Sequence, residues 1–120
     1  MAELTAKEHD AVLKLNAEYR RAFFEKKVKE QGCFFVLADD QGPVVLQDDE
    51  YTGWIPVFTD SDFANEFAKT NEMENLKPTS VTLEAFNNSW VPMLRDNKLE
   101  LGFMPVGEDG EFESGIPDCL

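Results

Sequence analysis

Residues 54–67, WIPVFTDSDFANEF, decide the fold. Trp54, Ile55, Val57 and Phe58 are large apolar residues around Pro56 and read as a strand. Thr59 or Asp60 can then accept a hydrogen bond from the free N–H groups of a helix beginning near Ser61, and Asp60 and Asp62 sit where the helix dipole favours negative charge. Phe63, Ala64, Phe67 and Ala68 recur at helical spacing as a short apolar face, which Asn71 and the polar residues after it close. Pro56 has no N–H for a ladder, so this strand is expected at a sheet edge, or with its nitrogen turned outward. The TDSD segment thus has a structural reason to exist before any chemistry is invoked.

Upstream, residues 5–31 contain neither Pro nor Gly. Val12, Leu15, Tyr19, Ala22 and Phe23 form one stripe at three- and four-residue spacing, and Leu13, Ala17, Phe24 and Val28 form an adjoining one. This predicts a helix started by a Thr5/Glu8 capping box and stopped at Gly32. CFFVLA at 33–38 is a continuous apolar run, as expected of a strand covered on both faces. VVL at 44–46 follows the turn-forming DDQGP, so the two runs read as an antiparallel hairpin.

Downstream, PTSV at 78–81 reads as a short extended segment. Thr82 can cap a helix that carries Leu83, Phe86, Trp90 and Leu94 on one face. Pro92 leaves the Asn88 carbonyl without a donor and predicts a kink near Trp90. Leu99, Leu101 and Phe103 alternate with Glu100, Gly102 and Met104; after GEDG, Phe112 and Ile116 alternate with Glu111 and Glu113. The pattern predicts a terminal hairpin with one apolar and one acidic face. The order α-β-β-β-α-β-α-β-β describes one α+β domain over residues 1–120, with a mixed or antiparallel sheet.

The 120 residues carry 42% apolar residues, ten of them Phe, enough for a core that buries roughly two-thirds of the unfolded surface. No run approaches the ~18 apolar residues a membrane span needs, and no apolar leader follows Met1. These features predict a soluble, cytoplasmic protein with no membrane partner. The formal net charge is −13, and its distribution is uneven. Lys14, Arg20, Arg21, Lys26, Lys27 and Lys29 lie in the first helical segment, whereas residues 30–68 and 99–120 contain neither Lys nor Arg. Such a field repels nucleic acid.

From about Phe23 to Ile116 the chain resembles a small uncharacterised bacterial domain of unknown function, related in pattern to the SseB-type N-terminal domain. The features that carry the resemblance are GCFFVL, WIPVFTDSDFA, TLEAF followed by WVPML, and DNKLELGFMP. The strand–Pro–Val–Phe–Thr–Asp–helix run is the part closest to the SseB pattern. The matching residues are apolar, turn-forming or capping, so the resemblance implies a fold and no catalytic residue.

The sequence offers little chemistry. His9 is the only histidine, Cys33 and Cys119 form no CxxC motif, and no glycine-rich phosphate loop is present. No catalytic residue, metal ligand or cofactor is therefore assigned. Trp54, Trp90 and the phenylalanines could line a pocket, but their spacing is that of core residues. The carboxylates remain. A third strand running back beside the first hairpin would bring Asp60 and Asp62 to the same edge as Asp39 and Asp40, where a turn and a helix cap, a weak Ca²⁺ or Mg²⁺ site, or a docking point for Lys and Arg are all compatible. Glu100, Glu111 and Glu113 form a second patch on the outer face of the terminal hairpin. The leading expectation is a non-enzymatic interaction module whose acidic surface binds a basic protein partner, for example a bacterial protein that neutralises a cationic toxin. The alternative is a small-ligand or divalent-metal-dependent enzyme built on the Asp39/Asp40/Asp60/Asp62 edge.

Overall fold

The structure is a computed structural model in which residues 11, 14, 16–47, 53–73, 75–105 and 112–115 are described. Its strands are β1 (Cys33–Asp39), β2 (Gly42–Pro43), β3 (Leu46–Gln47), β4 (Gly53–Val57), β5 (Lys77–Thr82), β6 (Leu99–Phe103) and β7 (Glu113–Gly115). Its helices are α1 (Ala17–Gln31), α2 (Ser61–Thr70), α3 (Leu83–Ala85) and α4 (Val91–Asp96), the last two joined by a π-helical turn at Phe86–Trp90. The architecture is α+β, as the alternation of patterns predicts.

The strands form two sheets, ordered β2-β1-β5 and β3-β4-β6-β7. Phe35 and Phe58 join them by exchanging N–H···O bonds of 2.8 and 2.9 Å in an antiparallel bridge. β4 is antiparallel to β3 and parallel to β6, so it is an interior strand and not an edge. Pro56 is accommodated by its position. Backbone groups alternate sides along a strand. Phe58 bonds toward β1, and the Val57 carbonyl accepts from the Met104 N–H on the β6 side at 3.0 Å. The Pro56 nitrogen therefore faces the β3/β1 side, in the gap between the Leu46↔Trp54 pair and the Phe35↔Phe58 bridge. The expected hairpin after β1 forms, with Ala38 opposite Pro43. Its returning strand is split, however: Gly42–Pro43 stays with β1, and Leu46–Gln47 passes to β4.

Helix α2 follows the sequence closely. Asp60 is the N-cap and accepts from the Phe63 N–H at 3.0 Å, while Phe63, Ala64, Phe67 and Ala68 are the buried residues. The Asn71 amide closes the helix by donating to the Phe67 carbonyl at 2.8 Å. Asp60→Ala is expected to lower stability by about 1 kcal/mol through loss of this cap, a change a urea titration resolves.

The first helix departs from expectation. Residues 5–31 do not form one uninterrupted helix, because Asn16 adopts an extended conformation and caps α1 by accepting from the Tyr19 N–H at 2.9 Å. Thr5 and Glu8 lie outside the described residues. The buried stripe is Arg20, Phe24 and Val28, whereas Tyr19 is 62% exposed. Arg20 fills one step of the apolar i, i+4 row, which a hydrophobicity pattern does not detect. Gly32 ends α1 as predicted, at φ 81°, with its N–H donating to the Val28 carbonyl at 2.8 Å.

Thr82 caps α3, accepting from the Ala85 N–H at 3.1 Å. At Pro92 the chain responds with the π turn, in which the Val91 N–H reaches back five residues to the Phe86 carbonyl. The extra residue absorbs the donor that proline lacks. It also changes the buried face: Phe86, Val91 and Leu94 are buried, while Leu83 and Trp90 are half-buried against the core. Trp90 is thus less enclosed than its spacing predicts.

The core lies on both sides of the joined sheets. On one side Phe34 meets Phe24 of α1, Phe86 and Trp90, with ring centroids 5.8, 5.4 and 6.0 Å away, and Phe24 continues to Phe103 at 5.4 Å. On the other, Phe58 meets Phe67 of α2 at 5.5 Å.

Candidate functional site

The junction after β4 is a tied corner. Gln31, at the end of α1, donates one amide group to the Cys33 carbonyl at 2.9 Å and to the Thr59 carbonyl at 2.6 Å. Thr59 is buried, and its N–H points at the Met104 sulfur at 3.3 Å. This corner fixes where Asp60 goes. Because Phe58 pairs with Phe35 in the antiparallel sense, the chain beyond Phe58 moves toward Cys33, the start of β1. Asp39 and Asp40 lie at the opposite end. Six strand residues separate those ends by about 20 Å. The expected convergence of Asp39, Asp40, Asp60 and Asp62 does not occur, and a shared cation site or carboxylate centre on that edge is ruled out by geometry. Among the described residues no three His, Cys, Asp or Glu side chains are grouped to hold a metal ion.

Each aspartate pair instead serves its local backbone. Asp39 accepts from the Gln41 N–H at 2.9 Å, which shapes the β1–β2 turn, and Asp60 caps α2. Beside the turn is an open cleft of about 580 Å³ lined by Ala38, Asp39, Asp40, Gln41, Asn75, Lys77 and Thr79. Lys77 stands opposite Ala38 in the β1–β5 register and lines the same cleft as the two aspartates.

The second acidic patch is also rearranged. In the β6–β7 register Phe103 is opposite Glu113 and Gly102 opposite Ser114; in the β4–β6 register Trp54 is beside Glu100. Paired residues share a sheet face and neighbours along a strand alternate, so Glu100 and Glu113 project from opposite faces. Glu111 lies outside the described residues, as do His9 and Cys119. Glu113 shares its face with Phe103, where the Arg21 guanidinium stacks 4.6 Å from the Phe103 ring centre and pairs with Glu25 at 3.3 Å.

Glu100 shares the other face with Trp54, Gly102, Phe112 and Ser114. The Trp54 and Phe112 rings are 4.4 Å apart, tilted by 34°. Gly102 lies beneath them so closely that a Cβ there would stand 2.5 Å from Trp54 Cε3 and 3.0 Å from Phe112 Cε2. The absent side chain is what allows the indole to lie across β6. Sequence reasoning assigned Trp54 to the core and missed this platform; a glycine inside a strand flanked by apolar residues was the available signal.

Comparison with known proteins adds a family and no activity. The model for proteins of unknown function designated DUF2750 matches residues 21–117, and the chain belongs to that family. No curated protein and no solved structure matches it.

Proposed function

We propose that this member of the DUF2750 family is a non-enzymatic interaction module whose acidic surface binds a basic protein partner, in the manner of a neutralising or regulatory protein. The supporting observation is where the cations of α1 are spent. Arg20 is fully buried, and Arg21 is half-buried over Phe103 and paired with Glu25, so neither offers its full charge to the surface. Asp39, Asp40 and Asp62 are exposed. The surface thus keeps the acidic excess of the sequence, 24 acidic against 11 basic residues. A cytoplasmic bacterial setting and the kinship to the SseB-type N-terminal domain belong to the same proposal. The kinship rests on the run at 54–67, whose strand, Asp60 cap and helix are all present in the fold. Among the described residues no helix is long and apolar enough to cross a membrane.

Complementary charge acts chiefly on encounter. With a native partner in hand, raising salt from about 0.05 M to 0.5 M, which shrinks the screening length to a few ångströms, is expected to slow association at least tenfold and to change dissociation much less. A stopped-flow titration measures both rates. An association rate that does not change over that range overturns the proposal.

A further inference from the structure

We infer that the Trp54–Phe112–Glu100 face of the second sheet is the place where a partner's basic segment docks, with an arginine or lysine side chain laid against the Trp54 indole and paired with the Glu100 carboxylate. This rests on the acidic-module reading above and gives it a location.

The platform is assembled from three adjacent strands. Trp54 on β4, Glu100 and Gly102 on β6, and Phe112 with Ser114 at β7 share one face by register. α1 packs on β6 and β7 from the opposite, Phe103 side, while α2 covers the Phe58 end of this face and reaches β1 and β5, so the Trp54 end is the part α2 does not take up. Trp54, Phe112 and Glu100 are half-buried, and Ser114 is exposed. Among the described residues the Glu100 carboxylate has no hydrogen-bond or ion-pair partner.

The chemistry of the occupant follows from charge and from a precedent within the molecule. A cation over an aromatic face is attracted by the ring quadrupole, most strongly by indole. A carboxylate one strand away, about 4.8 Å, can pair with the same cation. On the opposite face of β6 the protein fills such an arrangement itself, with Arg21 over Phe103 and against Glu25. Trp54 and Glu100 repeat the aromatic and the carboxylate without the cation. In the sequence, residues 48–52 and 106–111 carry Asp48, Asp49, Glu50, Glu108, Asp109 and Glu111 and no Lys or Arg. A partner presenting basic residues complements this region, whereas a second copy would bring like charge to it.

The test uses the full chain with Trp90→Phe, so that fluorescence reports Trp54 alone, and a flexible peptide of arginines spaced by glycine and serine as the probe. A shift in Trp54 emission on titration is expected. Glu100→Gln and, separately, Trp54→Leu (followed by peptide anisotropy) are expected to weaken binding about tenfold each, while Asp39→Asn with Asp40→Asn leaves it within about twofold. Glu100→Gln keeps the shape of a half-buried side chain and removes only its charge, so it reports even where Trp54→Leu impairs folding. Binding that both site variants leave intact overturns this location and keeps the acidic-module reading. Absence of binding to the parent protein at low salt overturns both. Self-association through the face, seen as a dimer by sedimentation and lost in Glu100→Gln, would replace the basic segment with a second copy and overturn the inference.

Discussion

Phe34→Ala is expected to lower the free energy of unfolding by about 3–5 kcal/mol, the cost of truncating a large aromatic in a closed core. Phe34 is fully buried and meets three rings, Phe24 of α1, Phe86 of the π turn and Trp90 beyond it. It is the contact through which α1 and the α3–α4 segment are held on the same strand. Urea unfolding should show a lower midpoint at unchanged slope. Trp90→Ala, at a half-buried position, should cost visibly less than Phe34→Ala. Equal costs, or an unmoved midpoint for Phe34→Ala, would contradict this arrangement of the core.

Gly102→Ala should destabilise by about 1–3 kcal/mol, the usual cost of forcing a methyl into occupied space. The sign is informative, because replacing glycine inside a strand ordinarily helps by restricting the unfolded chain. Here the added Cβ would approach Trp54 Cε3 at 2.5 Å and Cζ3 at 2.8 Å, with Phe112 Cε2 at 3.0 Å, and rings cannot yield as a flexible side-chain tip can. The two changes should be coupled. In a Trp54→Leu background the cost of Gly102→Ala should shrink, with a coupling energy of about 0.5–3 kcal/mol in a double-mutant cycle. Strict additivity would mean that the indole does not lie over Gly102.

The parts of the fold that were legible in the sequence are those set by neighbours along the chain. The Asp60 cap, the four buried residues of α2, the glycine stop at Gly32 and the Thr82 cap each depend on a few consecutive residues. What was not legible depends on which strands meet. The division of residues 42–47 between β1 and β4, the parallel β4–β6 pair and the Phe35↔Phe58 bridge leave no local mark. The error about the carboxylates follows from this. The expected third strand beside the hairpin would put Asp60 next to Asp39, whereas the bridge sends it to the far end of β1. The faces of Glu100 and Glu113 likewise depend on the β6–β7 register, where a shift of one residue exchanges every side chain between faces. The π turn belongs between the two cases: Pro92 announces a disturbance, but not which residues it turns inward.

The outermost strand of the first sheet has a further consequence, for how molecules of this protein behave at high concentration. Among the described residues β5 has a neighbour on one side only, β1. Phe35 bonds away from β5, so Phe34, Val36 and Ala38 bond toward it and engage Val81, Thr79 and Lys77. The alternate residues Pro78, Ser80 and Thr82 turn their backbone outward. A proline in that row removes one of the donors an incoming strand would need, and the charged Lys77 stands next to it on an exposed position. The border thus offers outward acceptors at Pro78, Ser80 and Thr82 but donors only at Ser80 and Thr82, so a strand pairing along β5 forgoes a hydrogen bond at Pro78. In a chain this rich in phenylalanine, that gap is a built-in check on a ribbon growing from its own margin.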